Sequence, residues 1–222
     1  MKYIITIRHG ESFKNLKNID GGKGEKLTDK GRAQIEKAAS IIRQVMEKNP
    51  SLNVSVYRSC DREQITETAD IISSAAGVTH KRDDRFAPIR LGVFNGMSSA
   101  KQQELYPTAA REMSEWCNGE RDILDVHVEG MQDPRNHVDN IIDFINDLSD
   151  NSITILIGTR SDISAVKNIE QGNHPSVKNS YRFYPTEFAE VQCCAFDGKE
   201  YEQKFKISCE DVATRESGEN ER

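Results

Sequence analysis

The stretch KYIITIRHGES, Lys2 to Ser12, decides how this chain is read. Its first half is short, apolar and β-branched, the pattern of a buried strand. It then breaks into Arg8, His9 and Gly10, so a strand delivers a cation and an imidazole to its tip. A second apolar run, ITILIG from Ile153 to Gly158, ends in the same way, passing into Thr159 and Arg160. In an α/β sheet, ligands bind beyond the carboxyl ends of the strands, and helix N-termini that follow such strands offer free N–H groups to a phosphate.

Working outward, Thr28 reads as the N-cap of a helix, DKGRAQIEKAASIIRQVMEK, with apolar residues at helical spacing from Ala33 to Met46 and Pro50 beyond its end. LNVSVY alternates as a strand, and REQITETADIISSAAG is a helix ending at Gly77. Residues 78–99 read as irregular, and SAKQQELYPTAAREMSEW as one or two helical turns broken at Pro107. Pro134 opens a helix with Val138, Ile141, Ile142 and Ile145 on one face, and SDISAVKNIEQG is another. FAEVQCCAFDGKEYEQKFKI predicts a hairpin turning at Asp197–Gly198. Strands alternating with helices predict a single α/β domain, with a mostly parallel central sheet and helices on both faces. The domain is expected over 1–209, with a cap at about 80–130 and a disordered polar tail over 210–222.

With 222 residues the chain suits one core, and its net charge of −6 argues against a nucleic-acid partner. Only five residues separate Lys2 from Arg8, too few for a secretory apolar region. No run approaches the roughly 18 apolar residues of a membrane span, so no membrane association is expected. The five cysteines lack C-x-x-C spacing and read as reduced thiols of a cytoplasmic protein. Oligomeric state is not encoded in any feature of the sequence.

Several pieces in order resemble the histidine phosphatase superfamily, which includes phosphoglycerate mutases and broad-specificity phosphatases. IRHGES is similar to its signature and LTDKGRAQIEKAA to its first helix. SCDREQITETADII resembles the stretch carrying its second arginine, IRLGVFNGMSSAKQQELYP its Gly-aromatic-x-Gly segment, and ILIGTRSDISAV its late strand and helix. The resemblance implies a phosphoglycerate mutase-like fold and a nucleophilic His9 that accepts a phosphoryl group. It also implies that Arg8 and Arg62 clamp the phosphate, with Arg58 as the alternative to Arg62, and that Asn15 and Ser12 add polar contacts. Such chemistry needs a neutral imidazole, in line with the phosphorus and ringed by cations. It requires no cofactor and no metal. The implied partner is a small phosphorylated substrate or inorganic phosphate.

Two positions depart from the family pattern. The second family histidine falls on Thr159, whose hydroxyl can donate a hydrogen bond but brings no charge; Arg160, the next residue, either swings in to restore it or points to solvent. The family's acidic proton donor falls on Pro88. Glu129, Asp84 and Asp83 are the candidate substitutes, and each reads equally as a surface acid. The other histidines, His80, His127, His137 and His174, read as solvated or structural. Losing an electrostatic donor typically costs about 10²–10³ in rate, and losing a general acid about 10²–10⁴. Surviving activity would favour good leaving groups such as aryl or acyl phosphates. The sequence therefore supports a phosphatase first, a family member that binds without turnover second, and a mutase third.

Overall fold

A computed structural model describes residues 1–210. The tail expected beyond the domain falls, from residue 211 onward, outside the described residues. Six strands form one sheet in the order β3-β2-β4-β1-β5-β6. They are β1 Lys2–Arg8, β2 Asn53–Arg58, β3 His80–Arg82, β4 Ser152–Gly158, β5 Val191–Phe196 and β6 Tyr201–Ile207. β1, β2, β3 and β4 pair in parallel, whereas β5 and β6 add an antiparallel edge. This is the single, mostly parallel α/β sheet that the alternation of strand and helix signals predicts.

The period of two along β1 and β4 sorts their side chains between two cores. Ile5, Ile7, Ile153, Ile155 and Ile157 face one side, where α2 (Asp29–Lys48) and α3 (Glu63–Ala76) cover them with Ile35, Ala38, Ile42, Ile65, Ala69 and Ile72. Ile4 and Leu156 face the other, beneath α6 (Pro134–Asn146) and α7 (Arg160–Glu170), with Val138, Ile141, Phe144, Ala165 and Val166. Thr28 caps α2 by accepting the Gly31 N–H at 3.0 Å, and Gly77 ends α3 at φ +70°.

Two expectations need correction. The 78–99 stretch is not wholly irregular: His80–Arg82 forms the edge strand β3 on β2. Three residues, two of them exposed, leave no periodicity to detect. Beyond Pro107 the helix is also longer than a turn or two. α4 spans Ser99–Leu105 and α5 the eleven residues Pro107–Cys117, because Pro107 starts a helix rather than ending one. No helix among the described residues is long and apolar enough to cross a membrane.

Candidate active site

Register places the site. Arg8 pairs with Gly158, and Arg58 with Ile157, so three parallel strands end together at one edge of the sheet. A cavity of about 210 Å³ opens there, with Arg8, His9, Lys14, Asn15, Arg62, Thr159 and Arg160 in its walls. Its roof comes from the 88–131 region and is largely apolar, including Pro88, Leu91, Phe94, Met113, Trp116 and Met131.

The loop after β1 is held against α2. A Cβ on Gly10 would lie 2.4 Å from the Gly31 carbonyl oxygen, and one on Gly31 would lie 2.0 Å from that of Glu11. Only glycines allow this approach, which fixes His9 over the sheet edge. His9 is 4% exposed, and its Nδ1 lies 2.8 Å from the Gly10 carbonyl. Burial first, and the Arg8 charge next, push its pKa down to about 3. At neutral pH the ring is therefore uncharged. Nδ1–H donates to Gly10, and Nε2 keeps its lone pair.

The Arg8 guanidinium donates to the Thr186 carbonyl and lies 3.9 Å above the Phe188 ring. Burial and the neighbouring Arg160 both oppose its charge, and its Nε has no hydrogen-bond partner among the described residues. Arg62, at the N-cap of α3, makes no capping bond and lines the cavity. Arg58 does not line it: its guanidinium bonds Asp61 at 2.7 Å and His80 at 2.9 Å. The turn at residues 59–61 turns Arg58 toward β3 and leaves Arg62 at the cavity.

Ser12 is fully buried and does not line the cavity. Its hydroxyl and N–H both donate to Asn15 Oδ1, at 2.6 and 3.0 Å. The expected phosphate contact from Ser12 is thus corrected to a positioning one, which leaves the Asn15 amide N–H groups for a ligand.

Thr159 lines the cavity but caps α7. Its hydroxyl donates to Asp162 Oδ1, and Asp162 accepts the Thr159 N–H at 2.8 Å. This reciprocal capping box uses the proton that a phosphate contact would need. Arg160 is half exposed at the cavity mouth, 3.4 Å from Asp20 and 6.0 Å from the Phe183 ring.

The substitute acids lie elsewhere. Asp84 pairs with Arg82 at 2.7 Å and Asp83 with Arg85 at 2.9 Å. Glu129 is exposed and does not line the cavity; its backbone carbonyl accepts the Val93 N–H at 2.9 Å. Asp20 is the only carboxylate among the described residues lining the cavity. Its loop, NIDGGKGEK, carries no pattern that marks it. His137 also lines the cavity at 2% exposure, pushed down to about 4 by burial. His80, His127 and His174 sit beside Asp70, Glu112 and Asp139. Among the described residues no group of three His, Cys, Asp or Glu is placed to hold a metal ion.

Lys14, like Asp20, carries no sequence motif that marks a place in the site. It is 4% exposed and lines the cavity beside Arg62. A lysine in a polar stretch reads as solvated, so its only signal is position, five residues after His9.

The profile of the histidine phosphatase superfamily (branch 1) matches residues 4–160, most of the chain. The chain belongs to the histidine phosphatase superfamily. A 2,3-bisphosphoglycerate-dependent phosphoglycerate mutase of Thermoplasma acidophilum is 35% identical over 98 residues. That match covers 43% of this chain and 46% of the mutase, so the chain matches about half the length of this relative. Among solved structures, YhfR of Bacillus stearothermophilus superposes with a TM-score of 0.74 at 17% identity, covering 96% of this chain and 98% of its own. A mycobacterial glucosyl-3-phosphoglycerate phosphatase in complex with VO3 gives 0.70 at 14% identity, covering 92% and 98%. At these identities the likeness to these solved structures is one of fold.

Proposed function

We propose that this chain is a phosphatase working through a phosphohistidine at His9. The observation that carries this reading is the state of His9: buried, uncharged, tied at Nδ1 to Gly10, and walled by cations. In the first step the Nε2 lone pair forms a bond to phosphorus while the P–O bond to the leaving group breaks. The leaving oxygen takes that electron pair. Arg8 and Arg62 hold the equatorial oxygens, with Asn15 donating a hydrogen bond. In the second step a water oxygen forms a bond to phosphorus while the P–N electron pair returns to Nε2; one water proton stays on the new phosphate oxygen, the other passes to solvent or a second phosphate oxygen, and inorganic phosphate leaves.

Pro88 cannot protonate a leaving oxygen. The substrate class is therefore a small phosphorylated compound whose leaving group departs as an anion, such as an aryl or acyl phosphate. An alkyl phosphate, or a phosphoglycerate in a mutase cycle, needs a proton that Pro88 cannot give, and Asp20 is the one carboxylate among the described residues lining the cavity.

A second reading, a member that binds a phosphorylated ligand without turnover, is favoured by the capping role of Thr159 and by Pro88. One assay separates them: hydrolysis of phenyl phosphate between pH 4 and 9 by the native chain and by His9→Ala. The phosphatase reading expects activity that the substitution abolishes. Absence of hydrolysis, with inorganic phosphate still raising the unfolding temperature, selects the binding protein.

A further inference from the structure

Three lysines are buried in the described chain: Lys2, Lys14 and Lys167. Burial of an ammonium ion requires compensation, and two of them have it. Lys2 Nζ donates to the carbonyls of Ile145 and Asn146 at 3.2 and 2.7 Å. Lys167 Nζ pairs with Glu190 at 2.7 Å and reaches Thr186 at 3.3 Å. Lys14 Nζ, on a side chain that lines the cavity, has neither an ion pair nor a hydrogen bond among the described residues. Even the exposed Lys17, at the C-terminal end of the short helix Phe13–Leu16 that carries Lys14, pairs with Glu25 at 2.9 Å.

The surroundings of Lys14 make this more demanding. Burial and then the Arg62 charge oppose its protonation and outweigh the favourable effect of Asp20, Glu25 and Cys60. Its own charge in turn acts on His9. An unpartnered cation among other cations, in the wall of a cavity, is arranged for an anion that arrives from outside. The site also has a specific shortage: Thr159 stands where a second imidazole would carry charge, and its hydroxyl is bonded to Asp162.

We propose that Lys14 is a catalytic cation of this site, donating to the phosphoryl oxygens and replacing the charge that Thr159 does not bring. The proposal rests on the phosphohistidine reading for its kinetic consequences, but not for its phosphate binding. Lys14 exchanges no proton during the reaction. Its ammonium hydrogen-bonds the oxygens as charge accumulates on them, a point charge rather than a planar fork.

The test uses the full chain and Lys14→Met, Lys14→Arg, Thr159→His and the double variant Lys14→Met/Thr159→His. Two quantities are read: the dissociation constant of inorganic phosphate, by calorimetry, and kcat/KM for phenyl phosphate across pH. Lys14→Met is expected to bind phosphate at least tenfold more weakly and to lose about 10²–10³ in kcat/KM. Adding Thr159→His to that background should recover at least tenfold, which a structural role for Lys14 would not produce. The native profile should fall on the alkaline side below the ordinary lysine range, and Lys14→Arg should move that limb upward. Should Lys14→Met fail to fold, Lys14→Arg and its pH profile carry the test.

Phosphate affinity and rate unchanged in Lys14→Met overturn the proposal, as does an alkaline limb unmoved in Lys14→Arg. The two readings fail separately. Hydrolysis that persists in His9→Ala removes the phosphohistidine, while phosphate affinity in Lys14→Met still decides whether Lys14 is a ligand.

Discussion

At the scale of single residues, the chemistry rests on an imidazole that burial keeps uncharged. His9 is held at about 3 and His137 at about 4, against an ordinary 6.5 for each. Below pH 6.5 the unfolded chain takes up protons that the native chain refuses, so its stability falls as pH drops toward those native values. The slope is up to ~1.4 kcal/mol per pH unit for each group, and above 6.5 the effect is constant. Urea unfolding of His9→Gln beside the native chain should therefore show a flatter decline between about pH 6 and 4; equal slopes would contradict a neutral His9. Thr159 supplies a second prediction. As a cap rather than a phosphate ligand, Thr159→Ala should cost about 1 kcal/mol of stability while the phosphate dissociation constant changes less than threefold. A tenfold loss of affinity would restore Thr159 to the cradle. Arg58 and Arg62 should behave oppositely. Arg62→Ala should weaken phosphate binding at least tenfold and Arg58→Ala should not, because the Arg58 guanidinium is bonded to Asp61 and His80.

At the scale of elements, the cation at the tip of β1 depends on a segment far away in sequence. The 186–190 stretch gives Arg8 the Thr186 carbonyl and the Phe188 ring, and Lys167 on α7 anchors that stretch through Glu190 and Thr186. Removing one partner of a buried pair leaves an uncompensated charge, a loss of about 3–5 kcal/mol. Lys167→Met should lower the urea midpoint accordingly; an unchanged midpoint would show that Lys206, 3.0 Å from Glu190, holds the carboxylate alone. Elements also show what could be read in advance. β1, β4 and the bounds of α2 were legible because apolar period and caps agree. β3 was not, since three residues on a sheet edge carry no period. The capping box at Thr159 did have a signal, Thr-x-x-Asp before an apolar run, and it marks a helix start instead of a phosphate donor.

At the scale of the whole molecule, the parallel register of β1, β2 and β4 gathers three strand ends onto one edge of the sheet, and the 88–131 region roofs them. Arg8 and His9 were legible because a strand pointed at them. Lys14 and Asp20 were not, because only the folded loop turns them inward, and Glu129 and Asp84 lay near in sequence but outside the cavity. The chemistry as a whole depends on His9 Nε2 taking the phosphoryl group. The measurement closest to that transfer is an alkaline quench of the chain during turnover of phenyl phosphate, followed by mass spectrometry of the peptide containing His9. A phosphorylated His9 should form before phosphate is released and be absent in His9→Ala. Hydrolysis at the native rate with no phosphorylated peptide, or with the label on another residue, would contradict a phosphohistidine at His9.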